Sequence, residues 1–354
     1  MTQAAILASS ASSGVSTGFK NRIINGAMLV DQRNSGSSVT PTAALHTLDR
    51  WQATCAQSSK FSVQQVSDAP DGFTKSLKVT SLSAYTVGSG ETFTMRQVIE
   101  GQNIADLAYG TSSTKPVTIS FWVKSSLTGS FGVVLGNGNV GRTYGNSYTI
   151  NQANTWEYKS VTVPGDSVAF PTDNSQGLYL IFGLGVSSTV SAAAGSWQGS
   201  FYYGVTGATS VVSTNAATWQ VTGVQFEVGN TATNFEYRDY GNELRMCQRY
   251  FFQMLCDGTT MPLTSATAYS SSVCYNNTQI TFPVTMRTTP TVTTSGQIYL
   301  SDGLGSSYAS TINWNTYVWG ITPQAANATG LTTGRTYYTT LGTAGSYVRA
   351  SSEL

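Results

Sequence analysis

The chain has 354 residues and a net charge of +1, from 18 Lys plus Arg against 17 Asp plus Glu. Only 10% of its residues are charged, against about 25% in average soluble domains. That balance excludes an electrostatic case for nucleic acid or an anionic membrane, no stretch approaches the ~18–20 apolar residues of a membrane span, and 11% aromatics argue against disorder.

What replaces the charge is small and uncharged: 35 Gly and about 95 Ser plus Thr. Few Glu, Lys and Arg are left to write helix surfaces, whereas Thr, Val, Tyr, Phe and Trp suit pleated, half-buried ones. The composition is all-β. Residues 1–20 read as a small-residue docking arm. No Lys or Arg precedes Lys20, and the apolar run Ala4–Ala8 is shorter than the ~7–15 residues of a signal-peptide core.

Strand alternation then begins at 49–55 and 61–66, and recurs at 77–80, 93–99, 117–124, 131–135, 157–163, 178–182 and 219–228. Turn residues separate these runs at short intervals, as in two packed antiparallel sheets. Trp51 and Trp122 read as large core anchors. Residues 21–240 therefore read as one sandwich domain. Asn242-Glu243-Leu244-Arg245-Met246-Cys247-Gln248-Arg249-Tyr250-Phe251 sets Leu244, Cys247 and Phe251 at helical spacing, with Asn242 as N-cap. This makes 241–252 a helical connector. Alternation resumes at 278–284, 291–294, 311–314, 317–319 and 336–340, which gives a smaller C-terminal β-sandwich over 253–354.

Motifs for chemistry are sparse. Gly136-Asn137-Gly138-Asn139-Val140-Gly141 matches a dinucleotide-binding pattern, but Arg142-Thr143-Tyr144 and onward do not open a helix, so a hairpin turn is expected. Cys55, Cys247, Cys256 and Cys274 match no zinc spacing and read as buried free thiols, with a Cys256–Cys274 bridge left open. No metal and no cofactor are implied. His46 is the single histidine, and no G-x-S-x-G elbow accompanies it, which disfavours a Ser-His-Asp triad. Glu227 and Glu236 flank Gly229–Asn234 and are the nearest thing to a carboxylate pair, though pairing with Arg238 explains them equally. Asn276-Asn277-Thr278 and Asn327-Ala328-Thr329 fit glycosylation acceptors, a pattern common by chance in a Thr-rich chain.

Aromatics in Gly- and Ser-rich loops are the candidate binding residues: Tyr144, Trp197, Tyr202 and Tyr203 in the first domain, Trp314 and Trp319 in the second. An aromatic ring with polar neighbours suits the apolar face and hydroxylated rim of a sugar. Packing at a subunit interface, where Tyr and Trp are also enriched, is the competing reading.

Three segments carry a family resemblance. The first is Asn21-Arg22-Ile23-Ile24-Asn25-Gly26-Ala27-Met28 with Gln32-Arg33 and Asp49-Arg50-Trp51. The second is Arg96-Gln97-Val98-Ile99-Glu100-Gly101 followed by Lys115-Pro116-Val117-Thr118-Ile119-Ser120-Phe121-Trp122-Val123-Lys124. The third is Val224-Gln225-Phe226-Glu227-Val228-Gly229 with Thr233-Asn234-Phe235-Glu236 and, further on, Glu243-Leu244 and Cys247-Gln248-Arg249-Tyr250. In this order they resemble bacteriophage virion proteins of the tail-fibre or minor structural type, which carry a carbohydrate-binding-module-like jelly roll. The resemblance covers residues ~19–252 and weakens beyond. It implies a jelly-roll fold, a virion location and often a homotrimer, and it supplies no catalytic residues; the strand pattern above makes the whole an all-β fold of two β-sandwich (jelly-roll-like) domains joined by a short helix. The expected function is a non-enzymatic tail-fibre or appendage subunit, anchored by its N-terminal arm to other virion proteins and attaching to a host-surface polysaccharide. A capsid decoration or head-fibre protein is the alternative, with a glycan depolymerase behind it. No nucleic acid and no membrane insertion are expected.

Overall fold

The computed structural model describes residues 19–354 apart from 277, 304–306, 310 and 327. Residues 1–18 of the expected arm, and Asn277 and Asn327 of the two acceptor sequences, lie outside the described residues. The fold is all-β, with a single α-helix among the described residues. The chain divides into two compact units. One comprises Met1–Leu29 and Gly36–Arg238; the other comprises Val30–Ser35 and Asp239–Leu354.

The first unit opens with β1 (Leu45–Leu48), β2 (Trp51–Cys55), β3 (Phe61–Val66), β4 (Ser76–Ser81), β5 (Thr92–Glu100), β6 (Val117–Ser125) and β7 (Gly129–Asn137). It continues with β8 (Thr143–Ile150), β9 (Glu157–Val163), β10 (Gln176–Val186), three two-residue strands β11 (Ser191–Ala192), β12 (Trp197–Gln198) and β13 (Gly204–Val205), and β14 (Thr218–Val228). Seven strands make one sheet, in the order β1-β2-β5-β10-β7-β8-β12, and five make the other, in the order β3-β4-β14-β6-β9. Period-two alternation turns one side of each sheet inward. Phe61 and Val63, Phe121 and Val123, Leu180 and Phe182, and Trp219 and Val221 all enter one core. Phe182 is its hub, with ring centroids 5.1 Å from Phe121, 5.3 Å from Trp219 and 6.3 Å from Trp51. The buried Trp219 Nε1–H donates to Tyr148 Oη at 3.1 Å.

The glycine-rich run after β7 forms the tip of the β7–β8 hairpin. Its turn is tied by Asn137 Oδ1, which accepts the Gly141 and Arg142 N–H groups at 2.8 and 3.0 Å. The outer side of the seven-stranded sheet is closed by the chain itself, because β11 and β13 pair in parallel over it. Val205 sits so near that an added Cβ on Gly132 or Gly145 would fall 3.1 or 3.0 Å from its side chain.

Parts of all three motif segments converge in this unit. Asn21 Oδ1 accepts the Phe226 N–H and its Nδ2 donates to the Val224 carbonyl, both at 3.0 Å. The Gln97 amide exchanges two hydrogen bonds with the Ile24 backbone, at 2.9 and 2.8 Å. Asn25 Nδ2 reaches the Asp49 carbonyl, and the Asn25 carbonyl accepts from Trp51 Nε1, each at 3.0 Å. Buried backbone groups of the segment before β1 need such partners. The motif residues are therefore structural ties between sequence-distant segments.

In the second unit α1 spans Tyr240–Gln248. Its N-cap is Asp239, whose carboxylate accepts the Asn242 N–H at 3.0 Å, so Asn242 is not the cap and the helix begins earlier than its periodicity predicted. It also ends sooner, since Phe251 opens β15 (Phe251–Leu255). There follow β16 (Met261–Ala268), β17 (Cys274–Asn276), β18 (Ile280–Thr281), β19 (Thr291–Ser295), β20 (Ile298–Ser301) and β21 (Ser307–Ala309). β22 (Thr311–Tyr317), β23 (Gly320–Ala326), β24 (Thr336–Leu341) and β25 (Tyr347–Ser351) complete it. They form sheets β15-β25-β19, β17-β16-β24-β20-β21 and β18-β23-β22. The four cysteines are free; Cys256 and Cys274 sit in different apolar clusters, and Cys55 is half-buried rather than buried.

Candidate functional site

The six aromatics expected to meet a ligand are placed in three different ways. Tyr144 is only 8% exposed and belongs to the core, so it offers no ring to a sugar. Trp197, on β12 opposite Tyr144, packs edge-on against Tyr144, Phe170 and Tyr109 at 5.4, 5.8 and 6.2 Å. Its Nε1–H is taken by the Pro164 carbonyl, and Arg142 lies over its ring. Tertiary packing, invisible in a Gly/Ser-rich stretch, has made this loop residue part of the wall. Tyr203 is half-buried against Phe201, which in turn packs on Tyr179, while Tyr202 is half-buried beside Thr143. Trp314 packs against the core of the second unit. Trp319 is 49% exposed and stacks on Tyr317 at 4.8 Å and 13°, at the β22–β23 turn.

A better-formed site lies on the outer side of the five-stranded sheet. It is a groove of about 760 Å³, within the ~300–1,000 Å³ range of small-ligand sites. One wall is Trp122 of β6 and Tyr158 of β9, cross-strand partners with ring centroids 5.5 Å apart. The other is a triangle of Phe73, Phe235 and Tyr237, with centroid separations of 5.0 to 5.6 Å. Asp71, Ser120, Thr233 and Asn234 supply polar atoms. Tyr158 and Tyr237 are exposed, so both walls are open to solvent. Trp122 is thus not a core anchor. Phe121 and Trp122 are adjacent on one strand, and alternation sends only one of them inward; Phe121 is fully buried.

Local chemistry shapes both walls. Pairing of β14 with β6 slips between Thr222 and Gln225, the mark of a β-bulge. Gly223 is the residue that bulges. It has φ +61°, and an added Cβ would lie 2.6 Å from Phe73 Cζ, so glycine both permits the turn of the backbone and lets the Phe73 ring rest on it. The loop carrying Phe235 and Tyr237 is held by two buried side chains of β14. Gln225 Oε1 accepts the Glu236 N–H at 2.8 Å. Glu227 accepts the Thr233 N–H at 2.9 Å and the Thr233 hydroxyl at 2.6 Å. The Phe73 N–H closes its own turn onto the Pro70 carbonyl at 3.0 Å.

The two carboxylates noted in the sequence are occupied structurally. Glu227 fixes the loop as described. Glu236 accepts the Lys20 and Asn21 N–H groups at 3.2 and 2.8 Å and pairs with Arg238 at 2.8 Å. Burial pushes its carboxyl up, but the Asn21 N–H, Arg238 and the Lys20 N–H together hold it below the usual carboxylate range, the opposite of what a general acid needs. His46 lies on β1 opposite Gln52. Among the described residues no group of three or more His, Cys, Asp or Glu could hold a metal ion, and no helix is long and apolar enough to cross a membrane.

No protein-family model matches the chain, and no curated protein does. Solved structures of low similarity include the enzymatically active domain of tailspike protein 4 from bacteriophage CBA120. Its identity is 11% and its TM-score 0.31, over 59% of this chain and 21% of that one, so the chain spans about a fifth of that tailspike domain. A family 11 carbohydrate-binding module from Clostridium thermocellum, solved with a mixed-linked tetrasaccharide, has 13% identity and a TM-score of 0.28 over 55% of this chain and 98% of that one. The tandem CBM22 domains of Paenibacillus barcinonensis Xyn10C have 10% identity and a TM-score of 0.27 over 91% and 92%. Likeness at these values carries no functional argument.

Proposed function

We propose that the chain is a non-enzymatic, glycan-binding subunit of a phage particle, a homotrimeric tail-fibre or appendage component that engages host-surface polysaccharide. The observation that carries the reading is the groove with aromatic rings on two sides and hydroxyl, amide and carboxylate groups between them. Sugar rings stack on such walls while their hydroxyls bond the polar atoms. Asp71 is the one carboxylate among its lining residues, whereas glycoside hydrolysis uses a pair; this supports binding without cleavage. The virion assignment rests on the three resembling segments, and anchoring through the N-terminal arm rests on its small-residue composition.

The test is calorimetric titration of the full chain with host-surface polysaccharide, beside Trp122→Ala and Trp319→Ala variants of unchanged circular dichroism. Trp122→Ala should weaken binding at least tenfold, about 1.4 kcal/mol, with Trp319→Ala near wild type. The reverse order would move the site to the β22–β23 turn and overturn the groove. No binding by the wild-type chain would overturn the glycan reading. New reducing ends after incubation would overturn the non-enzymatic one.

A further inference from the structure

The charge around the groove goes one step further, and the step rests on the glycan reading above. Asp71 is exposed and the only charged side chain among the lining residues; among the described residues no hydrogen bond or ion pair engages its carboxylate. A second carboxylate, Glu227, is buried behind Thr233. The cations nearby are engaged or set back. Lys124, two residues along β6 from Trp122, is tied to Asp68 and lies over the Trp156 ring. The Lys20 ammonium donates to the carbonyl of the lining residue Asn234, and Arg238 is paired with Glu236. Lys78 stands on β4, beyond β14 from Lys124.

We infer that the groove selects uncharged glycans and rejects anionic ones such as uronate or phosphate polymers. An uncharged sugar offers hydroxyl donors to Asp71, which accepts at both oxygens, and to Asn234 and Ser120, which donate and accept. A carboxylate or phosphate on the same sugar would stand within a few ångström of Asp71, well inside the ~8 Å screening length at physiological salt. At that range salt screens little, and like-charge repulsion weakens binding by more than tenfold.

The experiment uses the full chain and a matched pair of probes: a neutral polysaccharide that it binds, and the same polymer with its primary hydroxyls oxidised to carboxylates. Wild type should bind the oxidised polymer at least tenfold more weakly. Asp71→Lys, at an exposed position and with unchanged circular dichroism, should regain that loss while its binding of the neutral polymer falls. Equal wild-type affinity for both polymers would overturn the selection and leave the glycan reading standing. A loss on oxidation that Asp71→Lys does not reverse would also overturn it, because the missing hydroxyl rather than the charge would be the cause. A wild-type chain that binds no polysaccharide, neutral or anionic, fails the glycan reading itself and the selection with it.

Discussion

Replacing Gly223 by alanine tests the link between backbone and groove. Two costs follow from the structure. An L-residue at φ +61° is disfavoured by about 1–2 kcal/mol. The new Cβ also meets the Phe73 ring at 2.6, 3.1 and 3.2 Å, so the ring must move away from Phe235 and Tyr237. Each aromatic contact is worth about 0.5–1.5 kcal/mol, which brings the total to about 2–5 kcal/mol. For a unit of this size that lowers Tm by on the order of 10 °C. Differential scanning calorimetry of Gly223→Ala, Phe73→Ala and the double variant separates the costs. With Phe73 truncated the clash is gone, and the alanine should then cost only the backbone share of about 1–2 kcal/mol. If Gly223→Ala costs as much beside Phe73→Ala as alone, or leaves Tm unchanged, the proposed coupling is wrong.

Two further predictions concern the first unit. Burial pushes the Tyr148 hydroxyl well above its ordinary value near 10. Above that pH the unfolded chain ionises this group and the folded one does not, so stability is full below pH ~10 and falls as pH rises, by about 1.4 kcal/mol per pH unit. Tyr148→Phe should flatten the decline of urea midpoints above pH 10; Tyr109, raised by burial and by Asp166, keeps part of it, and identical slopes would refute the assignment. At the β7–β8 hairpin, Arg142 grips Asp166 with two bonds of 2.8 and 2.6 Å. The carboxylate is 1% exposed and the guanidinium 21%. Arg142→Ala strands the buried charge and should cost about 3 kcal/mol, more than Asp166→Ala, after which the arginine can turn to water. Urea unfolding giving the opposite order would count against this account.

Much of the first unit was legible because its long strands alternate cleanly. Phe61–Val66 and Glu157–Val163 match their predicted spans residue for residue. The two-residue strands around Trp197 carry no such signal, and β8, written Thr-Tyr-Gly-Asn-Ser-Tyr-Thr-Ile, reads as turn chemistry. The groove was not legible as a site. Its walls come from positions 71–73, 120–122, 158, 223 and 232–237, which meet only when β6 pairs with both β9 and β14, and no local pattern encodes that pairing. One clue was present: Phe121 and Trp122 cannot both point inward, and the more amphipathic indole was the one to place outside.

The excursion of Val30–Ser35 into the second unit bears on inheritance. Arg33 pairs with Glu353 at 2.8 Å and lies 3.6 Å over the Phe251 ring, and the Gln253 and Arg349 side chains bond the Gln32 and Arg33 carbonyls at 2.8 and 2.7 Å. The second unit is therefore encoded in two pieces, and the shorter one interrupts the first unit between Leu29 and Gly36. Recombination between related genes at the Arg238–Asp239 junction would deliver a second unit without its matching hexapeptide. Exchange that keeps both folds has to carry both pieces of each unit, since Asn21, Ile24 and Asn25 are likewise tied to residues that follow the hexapeptide. Groove-bearing first units are thus expected to be inherited together with the second unit, because no single cut in the chain separates the two.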